Sequence, residues 1–156
     1  MSRRIAIASD HAAYAMKAEL AEWLREQGNE VLDLGTAGPE KSVDYPDYGY
    51  ALAQALADKR ADWGVALCGS GIGISIAVNR HPLARCALVS EPFSARLARN
   101  HNDANVIALG ARLVGIEMAK ACVMTFLNSE FDGGRHAGRV DKLTQPTPSR
   151  PTRSKP

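Results

Sequence analysis

The residues with the clearest capacity for chemistry form a glycine-rich loop, Cys68-Gly69-Ser70-Gly71-Ile72-Gly73. Three glycines in five positions let the backbone turn tightly and expose N–H groups, which form an anion site where a helix begins. The thiolate form of a cysteine beside such a site is favoured by the helix dipole. Cys68 is therefore a candidate base or nucleophile. The alternative is a turn that packs a helix on a sheet beside a buried, inert thiol.

The loop does not match three well-known phosphate or nucleotide motifs. A P-loop requires Gly-Lys-Ser/Thr, and this loop contains no lysine. A low-molecular-weight phosphatase loop requires Cys-x5-Arg, but the position of the arginine is Ile74. The dinucleotide fingerprint GxGxxG fails at the same residue.

Three other polar groups are candidates, and each has a structural alternative. Asp10-His11 follows a predicted strand and could pair an acid with a titratable base. The structural alternative is that Asp10 caps a helix and His11 is simply exposed. His101-Asn102-Asp103 lies at a predicted helix-to-strand turn and is equally typical of C-capping. Arg135 and Arg139 share a helical face, which suits either a phosphate or a solvated basic surface.

The elements that must position these groups alternate between β-rich runs and helical patterns. Strands are predicted at 5–8, 30–34, 63–67, 86–89 and 105–109. Helices are predicted at 12–27, at 47–60, after the glycine loop, and at 114–128. A further helix is predicted from Ser90-Glu91-Pro92 to about residue 100, with the serine hydroxyl as its N-cap. A polar segment follows at 134–144, and 35–46 is predicted as a loop. This order predicts an α/β fold: one doubly wound, Rossmann-like and flavodoxin-like sheet of five parallel strands with flanking helices.

Composition indicates one ordinary globular domain. The 156 residues are 46% hydrophobic and 23% charged, and no run approaches the ~20 apolar residues of a membrane span. The first residues show no signal-peptide pattern, so we expect a cytoplasmic protein that does not bind membranes. We expect a single domain at 1–144 and a disordered, basic Pro/Ser/Thr tail at 145–156.

Charge and metal-binding patterns exclude further classes. The net charge of +2 comes from the tail, because residues 1–144 carry 16 basic and 17 acidic side chains. We therefore expect no nucleic-acid partner. Three widely spaced cysteines and four histidines show no metal-ligand spacing, so we expect free thiols and neither a metal nor a cofactor.

Taken together, these residues resemble the ribose-5-phosphate isomerase type B family, which also contains galactose-6-phosphate isomerase subunits. The resemblance covers about residues 4–143. It rests on six stretches: Ser9-Asp10-His11, Asp44-Tyr45-Pro46, Cys68 to Ser75, Ser90-Glu91-Pro92, Arg99 to Asn105, and Gly133-Gly134-Arg135-His136 with Arg139.

The resemblance implies a metal-independent aldose–ketose isomerase that works through a cis-enediolate, with ribose 5-phosphate and ribulose 5-phosphate as the expected pair. Cys68 would be the base that moves a proton between C1 and C2. His101 would open the furanose ring, with Asp10 or Ser70 assisting. Some members use a glutamate base seven positions later instead; here that position is Ser75, so the chain resembles the cysteine-base branch.

The resemblance also implies how the substrate is held. Five backbone N–H groups would stabilise the enediolate oxygen, those of Gly69, Ser70, Gly71, Ile72 and Gly73. Asn102 would bind substrate oxygens, and Tyr45 would line the sugar site. Four side chains would hold the phosphate: His11, Arg112, Arg135 and Arg139.

Sheet topology predicts that one subunit holds only half of this site. Cys68 and Asp10 follow strands, whereas His101 and Asn102 precede one, and these positions lie at opposite edges of a sheet. We therefore expect a homodimer, or a tetramer built from it, in which the partner donates His101 and Asn102. Two alternatives stay open: a hexose-6-phosphate isomerase of the same family, acting on allose or galactose 6-phosphate, and a non-catalytic phosphosugar-binding module.

Overall fold

The sheet contains five parallel strands in the order β2-β1-β3-β5-β4. The computed structural model describes residues 2–144, so the tail expected to be disordered, 145–156, lies outside the described residues. The strands are β1 Arg4–Ser9, β2 Glu30–Asp33, β3 Trp63–Cys68, β4 Cys86–Leu88 and β5 Val106–Gly110. The predicted fold class is confirmed, with the last two strands interchanged relative to the flavodoxin order.

The three inner strands are buried on both faces, which explains their continuous apolar sequences. Every residue of β5 is buried, and so is every residue of β1 and β3 except the first. The two edge strands are short, with four residues in β2 and three in β4. The core therefore runs along β1, β3 and β5, and the polar residues after these strands emerge at one edge.

Helices cover both faces of the sheet. They are α1 Tyr14–Glu26, α2 Tyr45–Ala57, α3 Ile72–Val78, α4 Pro92–Asn102, α5 Ile116–Asn128 and α6 Ala137–Leu143, with 3₁₀ turns at His11–Ala13 and Gly134–His136. Helices α1, α4 and α5 pack on the large side chains of the inner strands, such as Ile7 and Leu109. Helices α2 and α3 pack on the opposite face, where the strands present mainly alanines, including Ala66 and Ala108.

Two helix starts differ from the prediction. Helix α2 begins at Tyr45 rather than 47, because Asp44 is the extended N-cap and Pro46 fits the first turn, where its missing N–H costs nothing. Helix α4 is capped by the Glu91 carboxylate and not by the Ser90 hydroxyl, since Glu91 accepts the N–H groups of Phe93 and Ser94. The Ser94 side chain, together with these backbone hydrogen bonds, lowers the pKa of Glu91.

Helix α4 also ends later than predicted. It continues through His101 and Asn102, and Asp103 closes it in the left-handed conformation, with φ 45° and ψ 42°. The two candidate residues therefore stand on the last turn of a helix rather than in a loop. Within residues 2–144, no helix combines the length and the apolar character that crossing a membrane requires.

The alanine-lined face predicts a strong dependence on Leu52. This side chain is fully buried on α2, and a Cβ on Gly64 would lie 2.7 Å from its Cδ2 atom. Leu52→Ala should lower the free energy of unfolding by about 2–5 kcal/mol, because it removes contacts and leaves a cavity. Leu83→Ala is the matched control, because Leu83 is 55% exposed. Equal midpoint shifts of the two variants in urea denaturation would contradict this packing.

Candidate active site

A cavity of about 350 Å³ opens at the edge of the sheet where β1 and β3 end. Its volume falls within the usual range of small-molecule sites. Eight of the predicted site residues line it: Asp10, His11, Tyr45, Cys68, Gly69, Ser70, Gly73 and Arg112. The fold therefore brings the first strand end, the glycine loop and the start of α2 together around the Cys68 thiol.

The Cys68 sulfur is held by its own loop. The N–H group of Gly71 donates a hydrogen bond to Sγ over 3.1 Å, and the side chain is 4% exposed. The loop thus fixes the position of the sulfur beside the cavity. Ser75 stands where the glutamate-base members would carry their base, and its hydroxyl donates instead to the Ile72 carbonyl over 2.7 Å. Of these two side chains, Cys68 is the one that lines the cavity.

The five loop N–H groups fall into two sets. The Gly71 N–H binds the sulfur, and the Ile72 N–H donates to the Ser70 hydroxyl over 3.2 Å. In the described part of the chain, the N–H groups of Gly69, Ser70 and Gly73 make no hydrogen bond. These three are therefore the donors available to a ligand oxygen, a smaller set than the sequence suggested.

Two glycines let larger side chains lie directly on the loop. A Cβ on Gly73 would lie 2.6 Å from the Tyr45 ring, and one on Gly69 would lie 3.3 Å from Nη1 of Arg112. The Arg112 backbone N–H also donates to the Gly69 carbonyl over 3.0 Å. The phenol and the guanidinium consequently border the cavity from opposite ends of the loop.

Asp10 and His11 are fixed by backbone donors. Asp10 Oδ1 accepts the N–H groups of Ala12 and Ala13 over 3.1 and 3.3 Å, so the capping role and the site position coexist. His11 Nδ1 accepts the N–H group of Val43 over 3.1 Å. Because a backbone N–H can only donate, the neutral His11 ring carries its proton on Nε2. That nitrogen is the one left to donate to a ligand.

Six predicted site residues do not line this cavity: Gly71 and Ile72 of the loop itself, and His101, Asn102, Arg135 and Arg139. His101 and Asn102 lie on the last turn of α4, which returns the chain to the start of β5 at the other edge. Asn102 borders a different cavity of about 390 Å³, together with His81 and Arg85. Within one chain, the structure therefore separates the predicted residues into two groups.

The end of α4 is held rigidly by charged groups. Asp103 accepts hydrogen bonds from Arg99 and Arg85, each over 2.8 Å, and Arg99 also donates to the Ala104 carbonyl. The Arg99 guanidinium lies 4.5 Å from the centre of the Trp63 ring. These contacts fix the turn that carries His101 and Asn102.

His101 has a neighbour for which the sequence analysis proposed no role. Its ring stacks on His136 with centroids 4.3 Å apart and planes 8° apart, and Asp132 lies beside them. Burial lowers the pKa of His136, and the charges of His101, Arg135 and Arg139 lower it further. In the sequence, His136 stands out only as part of a motif, and no pattern singles out Asp132. The contacts of these two residues with His101 join distant segments, which a local pattern does not reveal.

Of the two remaining cysteines, Cys122 is buried in the core and Cys86 is partly buried and packs against it. Burial raises the pKa of the Cys86 thiol well above its usual range and that of Cys122 to about 11. All three cysteines are free thiols. Cys68 is the thiol that lines the cavity shared with Asp10, His11 and Arg112.

Known proteins resemble this chain in sequence and fold over almost its whole length. The family model described as Ribose/Galactose Isomerase matches residues 5–143. The chain belongs to the ribose/galactose isomerase family. This confirms the resemblance and the expected enzyme class, aldose–ketose isomerase.

Individual relatives of this family agree in sequence and structure. Ribose-5-phosphate isomerase B of Escherichia coli K12 is 44% identical, over 91% of this chain and 95% of the relative. D-erythrulose-4-phosphate isomerase of Pectobacterium atrosepticum is 40% identical, over 89% and 91%. A crystal structure of a ribose 5-phosphate isomerase from Thermotoga maritima superposes with a TM-score of 0.90 at 48% identity, over 92% and 99%.

The loop geometry predicts that Gly71 tolerates no side chain. Its φ is +76°, and a Cβ would lie 2.8 Å from the Leu109 carbonyl carbon. Gly71→Ala should lower the free energy of unfolding by about 1–3 kcal/mol, because both strain and a backbone clash are introduced. Gly138→Ala is the control, since a Cβ there meets nothing within 4 Å. Chemical denaturation measures both, and equal stabilities would contradict the close approach.

Proposed function

We propose that this chain interconverts ribose 5-phosphate and ribulose 5-phosphate through a cis-enediolate. One observation carries the proposal: a single cavity joins the Cys68 sulfur, with its Gly71 N–H donor, to three unoccupied loop N–H groups. A proton-transfer base beside preorganised oxyanion donors is what isomerisation next to a carbonyl requires. The ribose-5-phosphate isomerases among the relatives of this chain support the five-carbon sugar.

The proton transfer is assigned to the Cys68 thiolate. In the open-chain aldose it removes the proton from C2, and the electron pair forms the C1–C2 double bond while the carbonyl electrons move to O1. The N–H groups of Gly69, Ser70 and Gly73 stabilise the resulting oxyanion. The C2 hydroxyl proton passes to O1, a transfer that we assign to the hydroxyl of Ser70, which lines the cavity. The Cys68 thiol then returns its proton to C1, which gives the ketose.

Ring opening is assigned to His101 as acid and base, with Asp10 or Ser70 assisting. Asp10 uses Oδ1 to cap the first turn, and its second oxygen makes no hydrogen bond within residues 2–144. Asn102, next to His101, is assigned to the substrate hydroxyls, and the Tyr45 ring to one wall of the sugar site. His101 must come from a partner subunit, since it does not line the cavity of its own chain.

The phosphate is assigned to His11 and three arginines. His11 offers its Nε2–H group, and Arg112 lies on the same cavity. Arg135 and Arg139 flank His136, which stacks on His101, so these arginines arrive with His101 as one unit. Guanidinium groups suit a phosphate because they bind its oxygens bidentately.

A homodimer with two shared sites follows from this division. Two apolar side chains at the glycine loop and its cavity are exposed: Ile72 is 51% exposed and Leu113 is 67% exposed. A second subunit that covers them would bring His101 to the cavity. The three free thiols favour a reducing compartment such as the cytoplasm.

The proposal is tested by a coupled isomerase assay on four-, five- and six-carbon sugar phosphates. We expect the highest kcat/KM on ribose 5-phosphate, and Cys68→Ala should lose at least about 10²-fold in rate, the lower bound for a general base. Exchange of the C2 proton with solvent should stop in Cys68→Ala while the sugar still binds. Cys122→Ser is the thiol control. Highest turnover on allose 6-phosphate would instead favour the hexose alternative.

A non-catalytic binding module gives a different result in the same assay. It would bind the sugar phosphates without any exchange of the C2 proton in the wild-type protein. Wild-type turnover in Cys68→Ala would show that another group is the base.

The shared site is tested by mixing two inactive variants. When Cys68→Ala and His101→Asn subunits are unfolded together and refolded, half of the dimers are mixed, and each mixed dimer rebuilds one intact site. We therefore expect about a quarter of the wild-type activity from the mixture, as two-fold symmetry requires. Each variant refolded alone is the control. No recovery, with mixed dimers verified by mass spectrometry, would place both residues in one subunit.

A further inference from the structure

The stacked histidines near the end of α4 form a compact group of potential metal ligands with Asp132. His101, Asp132 and His136 each offer one ligand atom, and these atoms all lie within 4.8 Å of one another. The group spans the last turn of α4 and the segment that leads into the 3₁₀ turn Gly134–His136. We call these three residues the His–Asp–His cluster.

The protein holds the cluster together through contacts outside it. The Asp132 backbone N–H donates to the Asn100 carbonyl over 2.9 Å, and the Asn100 amide donates to the Glu130 carbonyl over 2.6 Å. The Asp132 carboxylate makes no hydrogen bond or ion pair within residues 2–144, and it is exposed. The backbone is thus fixed while the ligand atom of Asp132 is free to turn.

We propose that the His–Asp–His cluster is a reversible site for Zn²⁺ or a similar transition-metal dication. Two imidazoles and one carboxylate are the three protein ligands of many open zinc sites. Bound ligand atoms lie about 2.0–2.2 Å from zinc, so the group must contract by roughly 1–2 Å. The rings must also leave their parallel stack, because each lone pair lies in its ring plane. Rotation about the second side-chain torsion, which is soft for histidine, provides this.

The surrounding charge predicts a moderate and selective affinity. The carboxylate offsets part of the metal charge, whereas Arg135 and Arg139 next to His136 oppose it. Imidazole ligands suit zinc, copper and nickel, but not magnesium or calcium. The cluster should therefore bind Zn²⁺ and leave Mg²⁺ in solution.

Occupancy has a consequence that rests on the proposed function. Zinc takes the His101 lone pair that would accept a proton during ring opening. The metal should therefore inhibit turnover of the cyclic substrate, and a chelator should restore it. An enzyme whose proposed reaction does not use a metal would thereby become sensitive to free zinc.

Binding is tested by calorimetry with zinc chloride on the full chain. Cys68→Ala serves as the background, because the thiolate is itself a zinc ligand. Asp132→Asn and His136→Asn should each weaken binding at least about tenfold, the effect expected at minimum for a lost ligand. His81→Asn is the matched control, since His81 lies outside the cluster. Unchanged binding in both cluster variants, or no zinc binding at all, would overturn the proposal.

Inhibition is measured separately, on chains that retain Cys68. Asp132→Asn should keep its basal activity and require at least about tenfold more zinc for half-inhibition than the wild type. Inhibition of Asp132→Asn at wild-type zinc concentrations would show that the metal acts elsewhere, for example on Cys68. An inactive wild type that still binds zinc at the cluster would refute the proposed function alone, and an active one that does not bind zinc would refute the metal site alone.

Discussion

The candidate site depends on the close approach of two backbone segments, the glycine loop at Gly71 and the end of β5 at Gly110. The glycines leave no side chain between the two segments. The loop at Ser70 and Gly71 lies against the end of β5, so a Cβ on Gly110 would lie 2.5 Å from the Ser70 carbonyl oxygen. This contact holds Gly71 in its left-handed conformation, which directs its N–H at the Cys68 sulfur. Gly69, Ser70 and Gly73 of the same loop line the cavity. One steric constraint thus shapes both the surroundings of the sulfur and the loop that borders the cavity.

The fold explains why one chain carries two incomplete groups of functional residues. Residues that follow parallel strands gather at one edge of the sheet, and residues that end a crossover helix gather at the other. Cys68, Asp10 and His11 belong to the first group, whereas His101 and Asn102 belong to the second. Each group is rigid by itself, because backbone donors fix Asp10 and His11, and two arginines fix Asp103. In the proposed homodimer, the second subunit would only have to bring the two groups together, because each group is already ordered within its own chain.

The sequence predicted what depends on local pattern. Apolar runs located all five strands, and glycine spacing located the loop around Cys68. The errors came from competition between similar local signals: Glu91 rather than Ser90 caps α4, and Pro46 starts a helix rather than ending a loop. Features that depend on distant segments were not predictable. The stacking of His101 on His136 and the Val43 donor that sets the His11 tautomer both join segments without a shared pattern.

The short edge strands have a consequence for how copies of this chain associate. An exposed edge is a template for strand addition, and long edges invite aggregation or domain swapping. Strands β2 and β4 offer only four and three residues, so a neighbouring chain would gain few backbone hydrogen bonds by extending the sheet. Contacts through helices and loops are then favoured over continuous sheets. The short edge strands thus disfavour amyloid-like pairing between chains, and ordered association would use the surfaces formed by loops and helices.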